Sequence, residues 1–90
     1  MVPTKLEIVK SCLEASFRDV LLDTPHRRFV FHDGAHTSEL VLTRALLDDL
    51  AGEALSAHMK RDIVPTLQAN PGKRISVSTG GMGIGARESS

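Results

Sequence analysis

The stretch Arg27-Arg28-Phe29-Val30-Phe31-His32-Asp33-Gly34-Ala35-His36-Thr37-Ser38-Glu39-Leu40-Val41-Leu42 decides the fold. Apolar and polar residues alternate on both sides of Asp33-Gly34, a dipeptide favoured in type I′ hairpin turns, so the stretch predicts two antiparallel strands. With Asp33-Gly34 as a two-residue loop, His32 faces Ala35, Phe31 faces His36, Phe29 faces Ser38 and Arg28 faces Glu39. Phe29, Phe31, Leu40 and Leu42 then share one face, while Arg28, His32, Thr37 and Glu39 take the other with Val30 and Val41. A loop one residue longer would turn one strand over and set the phenylalanines opposite the charged row.

Working outward toward the N-terminus, Leu6, Val9, Leu13, Phe17 and Val20 or Leu21 fall at steps of three and four, the stripe of an amphipathic helix. Thr4 and Glu7 have capping-box spacing at its start, and Asp23-Thr24-Pro25 ends it, giving a helix over Lys5 to Leu22. Toward the C-terminus, Thr43 caps a second helical stretch running through Leu46, Leu50, Leu55, Met59, Ile63 and Leu67. Gly52 and Pro65 interrupt that pattern, so a kinked or split second helix is expected. Asn70-Pro71-Gly72 is a turn, and Ile75 and Val77 alternate with Ser76 and Ser78 in a third strand from Arg74 to Thr79. The expectation is a single α+β domain over residues 1–79 in the order α-β-β-α-β. Its three-stranded, mainly antiparallel sheet carries both helices on the Phe29, Phe31, Leu40, Leu42, Ile75 and Val77 face. Residues 80–90, rich in Gly and Ser, are expected to form a flexible tail.

Composition narrows the function. Eleven Lys plus Arg balance eleven Asp plus Glu, and the signs are interleaved along the chain with no basic or acidic block. That balance disfavours a protein whose affinity comes from phosphate charge. A lone Cys12 cannot form an internal disulfide, and the sequence shows no signal-peptide or membrane-spanning run, which makes a cytoplasmic protein the expectation. With 90 residues there is room for one modest core, burying roughly 60–65% of the surface exposed by the unfolded chain.

Four groups of residues bear on chemistry. His26, His32 and His36 lie close in sequence with Asp33, a donor set suited to zinc or nickel. The hairpin register sends His32 and His36 to opposite faces, so exposed histidines beside a turn are preferred to a metal site. Cys12 lies next to an apolar helical stripe with no helix N-terminus or cation beside it, the setting of a packing residue rather than a nucleophile. The Gly80-Gly81-Met82-Gly83-Ile84-Gly85 run lacks both a nucleotide-fold fingerprint and a following helix. No cofactor is implied.

The basic doublets Arg27-Arg28, Lys60-Arg61 and Lys73-Arg74 form the remaining candidate, a patch for an anionic ligand or nucleic acid. Phe29 and Phe31 between them are needed for the core, which leaves few aromatics to stack on bases. A three-stranded sheet with helices on one side also leaves an open face and open edges. The function expected is therefore a non-enzymatic accessory or regulatory protein acting through protein contacts, as a homo-oligomer and away from membranes. Binding of nucleic acid or an anionic ligand through the doublets is the first alternative, and a metal-dependent enzyme or metal-binding protein using His26, His32 and His36 is the second.

Overall fold

The computed structural model describes residues 4–86. Helix α1, Lys5–Glu14, begins with the capping box: Glu7 N donates to Thr4 Oγ1 at 3.2 Å and Thr4 N donates to Glu7 Oε2 at 3.3 Å. The helix stops well before Leu22. From Arg18 the chain becomes strand β1, Arg18–Asp23, which pairs antiparallel with β2, Arg28–Asp33. Phe17 and Val20 suit the helical stripe, yet both are also buried by the strand path, with the Phe17 ring 4.5 Å from that of Phe31. Backbone pairing with β2 outweighs a periodicity that either conformation satisfies.

A two-residue shift corrects the hairpin register. In β2 and β3, His36–Leu42, Asp33 pairs with His36, Phe31 with Ser38, Phe29 with Leu40 and Arg28 with Val41. Gly34 and Ala35 are the loop, and Gly34 carries the positive φ, 64°, at the first central position, as in a type II′ turn. A shift of two keeps every side chain on its face, so Phe29, Phe31, Leu40 and Leu42 remain together and fully buried. The expected Arg28–Glu39 pair is lost; Glu39 lies opposite Val30 and Arg74 instead.

The second helical stretch divides where Gly52 and Pro65 interrupt it. Helix α2, Arg44–Asp49, gives way to α3, Gly52–His58. A Cβ on Gly52 would sit 3.0 Å from Ile8 Cδ1, so glycine allows α3 to lie close against α1. After α3 one π-helical turn, Met59–Ile63, leads into α4, Val64–Ala69. Val64 N bonds back to Met59 O, and this widened turn accommodates the Pro65 ring, which a regular turn would crowd against the carbonyl four residues earlier.

The helices carry the chain to β4, Lys73–Ser78, which pairs parallel with β3. The turn before it is fixed by the buried Ser38, whose Oγ accepts from Gly72 N at 2.9 Å. A final hairpin adds β5, Gly81–Ala86, antiparallel to β4. The sheet thus has five strands in the order β1-β2-β3-β4-β5, not three, because the first helix yields β1 and the glycine-rich run yields β5. The α+β class and mainly antiparallel pairing stand. Residues 87–90 of the expected tail lie outside the described residues.

Candidate functional site

The basic doublets do not gather at one place. Arg28 and Arg74 lie on the sheet face away from the helices, where Arg28 Nη2 meets Asp23 Oδ2 and Arg74 Nε meets Glu39 Oε2, each at 3.1 Å. Arg27, at a left-handed φ of 50°, donates from Nε to Leu42 O at 3.2 Å. Lys60 and Arg61 sit in the helical layer across the sheet, and Arg61 Nε donates to Asp62 Oδ2 at 3.1 Å. Lys73 is exposed at the start of β4. Four of the six cations are therefore engaged by acceptors within the chain.

The histidines are also dispersed. His26 Nδ1 bonds Asp23 at 3.0 Å, His32 Nδ1 bonds the Thr37 hydroxyl at 3.2 Å, and His36 packs against the Gly72 turn. No three His, Cys, Asp or Glu side chains converge as a metal-binding set among the described residues. Cys12 is a buried free thiol, with Sγ 3.8 Å from Ser56 Oγ.

Two features combine instead around β5. Along this strand Gly81, Gly83 and Gly85 lie opposite Ser78, Ser76 and Arg74, whereas Met82 and Ile84 lie opposite the core residues Val77 and Ile75. Met82 and Ile84 therefore project toward the helical side of the sheet. They remain 38% and 55% exposed, two of the three large apolar side chains left in solvent among the described residues. Gly81–Ala86 contains no charged residue and no proline, and its outer backbone edge has no neighbouring strand among the described residues.

Beside the start of β5 runs a groove of about 430 Å³ between the helices and the β4–β5 turn. Leu46, Leu50, Ala54 and Ala57 give it apolar walls, and Asp49, His58, Arg61 and Thr79 supply polar groups. His58 Nδ1 donates to Asp62 Oδ2 at 2.8 Å from one turn earlier. The His58 and Arg61 hydrogen bonds hold the Asp62 carboxyl below its ordinary value by favouring its charged form. At the other wall Ser78 Oγ donates to Gly81 O at 3.2 Å, closing the turn. Apolar side chains flanked by fixed polar groups and an open strand edge make a surface suited to another polypeptide.

Sequence reasoning missed both features, although each left a trace. Met82 and Ile84 alternate with glycine at strand period, and His58 and Asp62 have the i,i+4 spacing that places them together on a helix. Comparison with family models, curated proteins and solved structures finds no match for the chain. Among the described residues no helix is long and apolar enough to cross a membrane.

Proposed function

We propose that this chain is a cytoplasmic, non-enzymatic accessory or regulatory protein that acts through protein contact, with β5 as its contact edge. The observation that carries this reading is the pairing of an uncharged strand edge, unpartnered among the described residues, with the exposed side chains of Met82 and Ile84. An added strand would satisfy the outward N–H and C=O groups of β5 while covering those side chains, the mode known as β-augmentation.

Immobilised wild-type chain and the Met82→Lys, Ile84→Lys double variant provide the test. Lysine at both positions leaves the core untouched but puts charge on the edge, a device that blocks strand pairing. The wild type should retain a polypeptide, whether foreign or the chain itself, that the variant releases. Equal retention by the two would contradict the proposal.

A further inference from the structure

We infer that the occupant of the β5 edge is β5 of a second copy of this chain, paired antiparallel about a two-fold axis at Gly83. The inference rests on the reading of β5 as the contact edge and adds the identity of the partner. Antiparallel pairing of two identical strands about Gly83 sets Met82 of each copy opposite Ile84 of the other, and Gly81 opposite Gly85. All four large apolar side chains then meet on the helical side of the join. The opposite side presents only glycine hydrogens, so no side chain there obstructs the approach.

Charge does not oppose the same partner. Gly81–Ala86 is neutral throughout, so self-pairing brings no like charges together, and it offers no charge pattern by which a foreign strand would be selected. The other edge of the sheet lacks these properties. A two-fold at Leu21 would set Asp19 of one β1 against Asp23 of the other, a like-charge pair that opposes association, and the strand is irregular between Arg18 and Leu21. Joining at β5 yields one continuous ten-stranded sheet with β1 at each end, a closed dimer that does not propagate.

The test is sedimentation equilibrium of the full chain over a wide concentration range, with variants that separate pairing from folding. The wild type should rise from the single-chain mass of 9.7 kDa to twice that value. Met82→Lys, Ile84→Lys should stay at the single-chain mass and keep a cooperative unfolding transition, because both side chains are exposed in the monomer. Gly83→Cys provides a geometric reading: facing Cα atoms in an antiparallel pair lie about 4.5–5.5 Å apart, within the roughly 4.4–6.8 Å that a disulfide spans. A Cβ at Gly83 has room, its nearest neighbour being Ser76 O at 4.0 Å. Under mild oxidation Gly83→Cys should give a covalent dimer, whereas Leu21→Cys on the exposed part of β1 should remain single chains. Wild type at single-chain mass throughout, or equal cross-linking by both cysteines, would overturn the inference. If the wild type stays single yet captures a foreign protein that Met82→Lys, Ile84→Lys releases, only the second copy is ruled out and the contact reading survives. A single chain that captures nothing overturns both.

Discussion

The two edges of one sheet are built in opposite ways. Strand β1 carries Arg18, Asp19 and Asp23, is irregular between Arg18 and Leu21, and holds Asp19 at a φ of 52°. Strand β5 keeps an unbroken register with β4, is uncharged and half glycine, with its one positive φ, 134°, at Gly81 where it begins and two apolar side chains in solvent. Charges and bulges are the means by which proteins stop an edge strand from recruiting another strand, so β1 is protected and β5 is not. The contrast teaches that exposure of apolar surface is not itself the signal. Leu21 is more exposed than Met82 or Ile84, yet its strand is irregular and also carries Arg18, Asp19 and Asp23.

The comparison breaks most severely if the centre supporting both edges is removed. Phe31→Ala takes away a fully buried ring that packs on Phe17 at the β1 side. A loss of about 3–5 kcal/mol is expected, visible as a large fall in the urea midpoint. Next in size is Asp19→Val. A β-branched residue tolerates the left-handed conformation poorly, so the variant should lose about 1–2 kcal/mol. If β1 straightens in response, masses beyond a dimer should appear in sedimentation, because a second edge is then open. Unchanged stability would mean that the irregularity does not hold Asp19 at positive φ.

A smaller effect is expected from Asp23→Ala, which removes the acceptor shared by Arg28 and His26 at the end of β1. His26 is exposed and Asp23 and Arg28 are half-buried at the rim of the sheet, so about 0.2–1 kcal/mol is expected in a urea titration. The smallest concerns Asp62 beside the β5 groove. Its folded value lies below the unfolded 3.8, so its stabilising contribution is present above that value and is lost as the pH falls through the folded one. Asp62→Asn should therefore lower the urea midpoint at neutral pH, and the two proteins should converge in acid.

Legibility in the sequence followed how many structures each local pattern could satisfy. Thr4 and Glu7 specify one local arrangement, and the capping box is present. The alternation through Phe29, Phe31, Leu40 and Leu42 fixed which face is buried but not the partner of each residue, because a two-residue shift preserves faces. Gly34 served the first loop position rather than the second, which produced that shift. Phe17 and Val20 are buried by helix and strand alike, so periodicity could not separate α1 from β1. For β5 the obstacle was glycine: three glycines lower strand propensity, and pairing with β4 supplies what propensity lacks. The dispersal of the histidines and basic doublets depended on chain topology, which their spacing in sequence does not encode.

Amide hydrogen exchange, followed strand by strand as concentration rises, measures the difference between the two edges most directly. Protection in β5 should increase with concentration while that of β1 stays constant, and Met82→Lys, Ile84→Lys should abolish the increase. Concentration-independent exchange in β5, or equal gains in β1 and β5, would contradict the account.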